Sequence, residues 1–175
     1  MTTQSTSMIV VGVDGSPQAA AALSFALTEA GRCGDTVHVV TSWDLSPYAV
    51  GLPLVPVPPL PPDAGELERA AQQVQDDALA AAGAVEVPVV RHVVEGEAGA
   101  VLVDAARDAR LLVVGTRGLG GLRAAVLGSV SRYCARHAAC PVVVVPGPHA
   151  PAREDTPEHR QRPADAGRSV LTPLY

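Results

Sequence analysis

The stretch MIVVGVDGSP, residues 8–17, decides how this 175-residue chain begins to fold. Its first six residues form a short apolar run rich in β-branched side chains, which predicts a buried strand. The next four residues, DGSP, are typical of a turn that leads into a helix, because serine caps helix N-termini and proline fits the first helical turn. Residues 17–32 are then rich in alanine and predict that helix. A buried strand followed at once by a helix is the repeating unit of an α/β fold.

The rest of the chain repeats this alternation of apolar runs and helical patterns. The apolar runs are short and almost uninterrupted, which is typical of parallel strands buried on both faces. We therefore predict an α/β fold, a three-layer sandwich in which helices cover both faces of a five-stranded parallel sheet. After the first strand and helix, the predicted strands are 36–42, 87–94, 111–114 and 142–145, and the predicted helices are 66–83, 98–109 and 129–137.

The predicted helix 66–83 carries apolar residues on one face and mostly polar residues on the other, and Gly83 is expected to end it. The expected apolar face comprises Leu67, Ala70, Val74, Ala78 and Ala81. The expected polar face comprises Glu68, Arg69, Gln72, Gln75 and Asp76. The pattern predicts that small apolar side chains attach this helix to the sheet.

Prolines divide the chain into one domain and two segments without regular structure. Of the 16 prolines, seven lie between Pro47 and Pro62 and six between Pro146 and Pro173. Proline lacks the N–H group that helices and central strands need. We therefore predict a disordered N-terminus at 1–7, a single domain at 8–146 that contains a Pro-rich loop at 46–65, and a Pro-rich, disordered tail at 147–175.

Composition disfavours several classes of function. The net charge is −5 and all 13 basic residues are arginine. Such a chain lacks the basic face that nucleic-acid binding needs, and it has no lysine for a Schiff base or a phosphate loop. The cysteines Cys33, Cys134 and Cys140 form no CxxC pattern, which disfavours a zinc site and fits a reducing cytoplasm. Because no secretory signal and no apolar stretch of about 18 residues occurs, we expect a cytoplasmic protein without a membrane partner.

The densest glycine cluster follows the fourth predicted strand and marks the candidate site. Main-chain N–H groups of a glycine-rich loop can approach an anion closely, and the N-terminus of the next helix favours negative charge. Serine hydroxyls there can donate to the anion or cap the helix, and Arg117 and Arg123 can add positive charge. The loop residues are Gly115, Thr116, Arg117, Gly118, Leu119, Gly120 and Gly121, and the helix start comprises Gly128, Ser129, Val130 and Ser131.

The same glycines are also compatible with ordinary turns, and Gly128 with Ser129 also fits a simple helix cap. The phosphate-loop motif GxxxxGK[ST], the dinucleotide motif GxGxxG and the esterase motif GxSxG do not occur in the chain. The residues alone therefore leave phosphate binding and a structural turn as alternatives. They disfavour a phosphate-loop NTPase, a dinucleotide dehydrogenase and a serine esterase.

Three ordered segments carry a resemblance to a known family. They are the opening strand IVVGVDGS, the spacing Gly115-x2-Gly118-x9-Gly128-Ser129, and the closing segment CPVVVVP. Together they resemble the universal stress protein family, and the glycine spacing resembles that of its nucleotide-binding branch. The resemblance covers about residues 8–146.

The resemblance implies a Rossmann-like sheet in the strand order 3-2-1-4-5 that binds ATP at its carboxyl edge, with Mg²⁺ beside the phosphates. Open parallel sheets bind ligands at this edge, where the strand order reverses. The residues implied in adenosine contacts are Gly12, Asp14 and Ser42. Those implied in ribose and phosphate contacts are Gly115, Gly118, Gly128, Ser129, Val130 and Ser131. Strand 142–145 is implied to join two copies as a homodimer.

The expected function is therefore that of an ATP-binding regulatory or binding module of the stress response, with an unidentified protein partner. Hydrolysis needs a base or a water-orienting group beside the γ-phosphate, and the sequence shows no evident one, since Asp14 is better placed for ribose. Two alternatives stay open. One is a slow ATPase, or an enzyme that phosphorylates itself at a serine such as Ser129 or Ser131. The other is a nucleotide-free interaction protein with the same fold.

Overall fold

The computed structural model describes residues 7–44, 63–83, 86–116 and 127–147. Strands and helices alternate along these ranges. The strands are β1 (Met8–Gly12), β2 (Thr36–Trp43), β3 (Val89–Glu95), β4 (Leu111–Gly115) and β5 (Val142–Val145). The helices are α1 (Pro17–Cys33), α2 (Ala64–Ala82), α3 (Ala98–Ala105) and α4 (Ser129–His137).

All five strands are parallel and form one sheet in the order β3-β2-β1-β4-β5. This arrangement confirms the predicted fold class and strand order. β1 lies at the centre, where Ile9 pairs with Val37 of β2 on one side and with Leu111 of β4 on the other. The chain continues from β1 to β2 on one side and from β4 to β5 on the other, so the strand order reverses between β1 and β4.

Alternate residues of the central strands enter two different cores. Ile9 and Val11 lie in the core beneath α1 and α2, whereas Val10 lies in the core beneath α3 and α4, together with Leu102 and Cys134. All three β1 side chains are completely buried. Burial on both faces explains why the strands appear in the sequence as continuous apolar runs without polar alternation.

The buried face of α2 differs from the predicted one. Val74 and Ala78 pack against the core as predicted, but Ala70 and Ala81 are exposed. The fully buried positions of this helix are Ala71 and Gln75 instead. The prediction is therefore wrong at Ala70, Gln75 and Ala81, because it assigned an alanine-rich stripe to the core and placed a glutamine on the solvent side.

Gln75 is buried because its amide has main-chain partners. Its Nε2 donates to the carbonyls of Val39, at 3.3 Å, and His92, at 2.7 Å. Its Oε1 accepts a hydrogen bond from Nε of Arg91 at 3.1 Å. A buried amide that makes these bonds avoids the cost of about 1–3 kcal/mol for each unsatisfied polar group. Gln75 therefore attaches α2 to β2 and β3 through hydrogen bonds as well as packing.

The predicted helix 98–109 ends earlier than expected. α3 stops at Ala105, and a turn follows in which the Arg107 N–H donates to the Asp104 carbonyl at 3.3 Å. The Arg110 N–H then donates to the Met8 carbonyl at 2.9 Å and brings the chain into the sheet. The early end of α3 is therefore set by the position of β1, which the local sequence does not specify.

Other boundaries shift by one or two residues, and α2 begins inside the predicted Pro-rich loop 46–65, with Asp63 as its N-cap. The predictions for 1–6, 45–62 and 148–175 fall outside the described residues. None of the helices in the described ranges combines the length and the apolar character needed to cross a membrane.

Candidate functional site

The predicted site lies where β1 and β4 end, because the chain leaves these neighbouring strands in different directions. Beyond β1, Val13 turns toward β2: its N–H donates to the Val40 carbonyl at 2.9 Å, and its carbonyl accepts from the Thr41 hydroxyl at 2.8 Å. Beyond β4, Thr116 turns toward β5, since its N–H donates to the Val145 carbonyl at 2.9 Å. The chain therefore leaves β1 and β4 in opposite directions at the carboxyl edge, and this is the arrangement in which open parallel sheets form a ligand-binding crevice.

Asp14 lies on the β1 side of this crevice in a turn that its own side chain stabilises. Its Oδ1 accepts the Ser16 N–H at 3.0 Å, and Gly15 between them has a φ of 81°, which favours glycine. Among the described residues, no donor contacts Oδ2. One carboxylate oxygen of Asp14 therefore stabilises the turn, and the other accepts no hydrogen bond from the described residues.

Two of the predicted glycines are also required by packing. A Cβ on Gly115 would lie 2.8 Å from Cβ of Gln18 and 2.9 Å from its main-chain carbon, so α1 approaches β4 too closely for any side chain there. A Cβ on Gly12 would lie 2.9 Å from a methyl group of Leu102 on α3. Both glycines therefore allow helices to approach the strand ends, whether or not they also contact a ligand.

The N-terminus of α4 lies beside the end of β4 and has no side-chain cap. The Gly128 N–H donates to the Thr116 carbonyl at 2.8 Å, which attaches the helix start to the segment after β4. The following N–H groups, from Ser129 onward, belong to the first turn and have no acceptor within the helix. They add the positive end of the helix dipole to the same place.

Ser129 and Ser131 differ in what their hydroxyls do. Ser131 is 2% exposed, and its Oγ lies 2.7 Å from the Gly115 carbonyl and 3.1 Å from the Thr116 carbonyl, between which it shares its proton. Ser131 therefore attaches α4 to the end of β4. Ser129 is exposed at the first position of the helix, and its hydroxyl has no hydrogen bond to a described residue. Of the two serines, Ser129 is the one whose hydroxyl is accessible.

Ser42 and Val130 complete the predicted site residues that the structure describes. Ser42 is half-buried on β2, where it pairs with Val94 of β3, two positions beyond the β2 residue that pairs with Gly12. Val130 packs against the core beneath α3 and α4. The other predicted site residues lie outside the described chain: Arg117, Gly118, Leu119, Gly120 and Gly121, together with Arg123.

Sequence reasoning missed two residues that shape the crevice. Thr41 is buried and holds the Val13 carbonyl, so it fixes the segment that leads to Asp14. Gln18 contacts the strand ends at Gly115 and also at Gly147, where a Cβ would lie 2.7 Å from its Cγ. A threonine at the end of an apolar strand was the one available signal for Thr41. The position of Gln18 depends on how α1 crosses the sheet.

The structure offers neither a reactive Cys134 thiol nor, within the described ranges, a group of three metal-binding side chains. Cys134 is completely buried, and burial raises its thiol pKa to about 11, so the thiolate that would act as a nucleophile does not form near neutral pH. Cys134 therefore acts as a small buried hydrophobic residue of the core. Within the described ranges, no group of three or more His, Cys, Asp or Glu side chains is arranged to hold a metal ion.

Known proteins share this sequence and this fold. A model of the universal stress protein family matches residues 7–146. A universal stress protein of Mycolicibacterium smegmatis is 34% identical over 139 residues, which are 78% of this chain and 45% of that protein. This chain thus spans less than half the length of the curated relatives that it matches.

Solved structures agree. A universal stress protein from Lactobacillus plantarum has 25% sequence identity and a TM-score of 0.63, over 79% of this chain and 97% of that one. A universal stress protein crystallised in complex with cAMP has 27% identity and a TM-score of 0.52, over 80% and 96%. The matched residues include both strand ends that form the crevice and the start of α4. From these matches and the strand order, we conclude that the chain belongs to the universal stress protein family.

Proposed function

We propose that this protein binds an adenine nucleotide, with ATP and its Mg²⁺ ion as the expected form, in the crevice between β1 and β4. The observation that carries the proposal is the uncapped N-terminus of α4, held beside the end of β4 by Ser131. The phosphates would lie against the N–H groups that begin at Ser129, where main-chain donors and the helix dipole both favour an anion. No lysine is needed for this contact, and the chain has none.

The nucleoside would lie toward β1 and β2. Asp14 borders the crevice, and the oxygen that does not hold the Ser16 N–H is suited to accept hydrogen bonds from ribose hydroxyls. Ser42 continues β2 beyond the end of β1, which is where the family resemblance expects main-chain contacts to adenine. The relative crystallised with cAMP supports a ligand that combines adenosine with phosphate.

We further propose that the protein acts as a regulatory or binding module in the cytoplasm. The described residues of the crevice supply N–H donors and a carboxylate that is engaged in a turn, an arrangement that favours binding over bond cleavage. If phosphate is transferred to a serine of this helix, Ser129 is the candidate, because Ser131 is buried and donates its proton to main-chain carbonyls.

The edge strand β5 supports a homodimer. Its four valines, 142–145, are half-buried and pair with β4 on one side only. An apolar edge strand readily pairs with another chain, and the family resemblance implies that a second copy occupies this edge. A monomer mass by light scattering at micromolar concentration would contradict this part of the proposal.

Calorimetric titration with ATP, ADP, AMP and cAMP, each with and without Mg²⁺, tests nucleotide binding. We expect Ser129→Asp to weaken ATP binding at least about tenfold, because the new carboxylate repels phosphate at the helix start. The matched control is Ala64→Asp, which adds the same charge at the exposed first residue of α2, a helix that packs on the opposite face of the sheet from α4. It is expected to bind ATP as the wild type does.

Equal ATP affinity in wild type, Ser129→Asp and Ala64→Asp would place the phosphates elsewhere. If none of the four nucleotides binds, the result would favour a nucleotide-free interaction protein.

Replacement of Gly118 by a bulky residue provides a second test, which concerns the predicted loop. Unchanged ATP affinity in that variant would show that the loop is not part of the site. Single-turnover assays with labelled ATP separate binding from catalysis. Release of phosphate in stoichiometric amounts within minutes would favour the slow ATPase.

A further inference from the structure

His38 and His92 form a second group of chemically active side chains, remote from the phosphate end of the crevice. His38 lies on β2 and His92 on the edge strand β3, where it pairs with Val40. Val40 is two residues after His38, so both imidazoles project from the same face of the sheet. Nε2 of His92 lies 3.1 Å from Nδ1 of His38, and the two rings stack with centroids 5.0 Å apart and an angle of 27° between their planes.

Both rings are half-buried and accessible from one side of the sheet. Their neighbours on β3, Val90 and Val94, are 41% and 38% exposed, so the described helices leave this part of the face open. Burial, followed by the charge of the neighbouring His92, lowers the pKa of His38 below 6.5. A neutral imidazole has a lone pair on one of its two ring nitrogens, and that nitrogen can bind a metal ion.

We propose that His38 and His92 together bind one divalent transition-metal ion of the class that prefers imidazole ligands, such as Ni²⁺, Zn²⁺ or Cu²⁺. Two metal–nitrogen bonds of about 2.0–2.1 Å that meet at roughly 100° leave their nitrogens about 3.1 Å apart, which is the separation found here. Each ring rotates so that both lone pairs face the ion, and the proton that one of these nitrogens donates in the hydrogen bond moves to the other nitrogen of its own ring.

Water completes the coordination in this arrangement. The described part of the chain brings no third His, Cys, Asp or Glu into a common group with these two rings, and their exposure gives water access. A two-imidazole site of this kind selects against Mg²⁺, which prefers oxygen ligands. The ion would join the edge strand β3 to β2, and its binding would not depend on the nucleotide.

Calorimetric titration of the untagged full chain with Ni²⁺ at pH 7.5 tests the proposal. We expect one ion to bind in the micromolar range, and we expect His38→Gln and His92→Gln each to weaken binding at least about tenfold. Glutamine keeps an amide that can hydrogen-bond the remaining ring, which favours retention of the fold. The matched control is His137→Gln, which removes an exposed imidazole that stacks on Tyr133 of α4 with centroids 4.2 Å apart.

A second measurement needs no variant. The chain has five histidines, and substoichiometric paramagnetic Ni²⁺ is expected to broaden the imidazole proton signals of His38 and His92 before the other three. Broadening at other histidines alone, equal Ni²⁺ affinity in all variants, absence of micromolar binding, or equal binding of Mg²⁺ would each overturn the proposal.

Discussion

The N-termini of α1 and α4 both begin at the carboxyl edge of the sheet, but their first-turn N–H groups have different partners. At α1, the Ser16 hydroxyl accepts the Ala19 N–H at 3.1 Å. At α4, the N-cap is Gly128, and no side chain of the described residues accepts from the first turn. The remaining two helices resemble α1, since Asp63 caps α2 and Glu97 caps α3.

At α1, a first-turn N–H group is used to stabilise the helix, whereas at α4 the first-turn N–H groups are left without a side-chain acceptor among the described residues. Glycine at the N-cap leaves a helix only about a few tenths of a kcal/mol less stable than serine or aspartate there, so the open start of α4 has a small cost in stability. The N–H groups of α4 are instead left for water or for an anion. Under the proposed function, this is the reason why glycine and not serine or aspartate precedes α4.

The largest expected effect comes from making α4 resemble α2. Gly128→Asp introduces an acidic cap at a residue that already has cap geometry, with φ −61° and ψ 164°. We expect stability to rise by about a few tenths of a kcal/mol, because aspartate is only slightly better than glycine as a cap. We expect ATP affinity to fall about a hundredfold, because the carboxylate occupies the N–H groups and repels phosphate. Calorimetry and urea unfolding measure the two effects.

Gly128→Ser gives a graded comparison, since it caps the helix without adding charge. Its ATP affinity is expected to lie between those of wild type and Gly128→Asp. Tighter ATP binding in either variant would show that the open N-terminus is not a phosphate site.

The next largest effect concerns the close approach of α1 to β4. Gly115→Ala places a Cβ 2.8 Å from Cβ of Gln18 and 2.9 Å from its main-chain carbon. Because main chain cannot move aside easily, we expect a loss of about 1–3 kcal/mol in the free energy of unfolding, measured by urea unfolding. Gly31→Ala is the control on the same helix, where a Cβ meets only Val87 at 3.6 Å. That change should raise stability by up to about 1 kcal/mol, and equal effects would refute the packing argument.

A smaller effect is expected from removing the cap of α1. Ser16→Ala deprives the Ala19 N–H of its acceptor in a position that is 2% exposed, and we expect a loss of about 1 kcal/mol. Ser24→Ala is the control: the same substitution at an exposed interior position of α1 should be neutral or slightly stabilising. Thermal unfolding measures both effects. If the unfolding temperatures of both variants fell relative to wild type, the comparison would be contradicted.

The smallest effect distinguishes the cysteines of the same two helices. Cys33 at the end of α1 is exposed, whereas Cys134 of α4 is buried with a thiol pKa of about 11 against an ordinary 9.0. A thiol reagent at pH 8 should therefore modify Cys33 rapidly and Cys134 only after unfolding. Between pH 9 and 11 the unfolded chain loses this proton first, so stability should fall as the pH rises through that window. If the stability of the wild type, but not that of Cys134→Ala, rose between pH 9 and 11, the predicted direction of this pH dependence would be wrong.

The pattern of apolar residues along the chain predicted most of the fold. Apolar runs such as residues 8–13 identified every strand, because strands buried on both faces cannot alternate with polar residues. Ser16 and Gly83 marked helix ends for a local reason, because a side-chain cap and a glycine with positive φ depend on their nearest neighbours. The strand order came from the family resemblance, and the sheet confirms it.

The errors lie where distant contacts decide. Gln75 belongs to the core because the carbonyls of Val39 and His92 accept its amide, and neither is near it in sequence. Ser131, which the family resemblance implies in phosphate contacts, has a hydroxyl that donates to the Gly115 carbonyl, 16 residues earlier, and its contact with phosphate stays a prediction. The local sequence shows which donors and acceptors a residue carries, but the tertiary structure decides which partners they bond to.

The amino-acid sequence by itself determined the class of fold, the helix starts and the choice of glycine where chains approach closely, because these follow from backbone sterics and from burial within a few residues. Only the tertiary structure decided which of two serines is accessible, which N-terminus stays uncapped beside the end of β4, and that His38 and His92 meet 3.1 Å apart across two strands. These properties depend on distances between elements far apart in the chain, and packing of the whole sheet and its helices sets those distances.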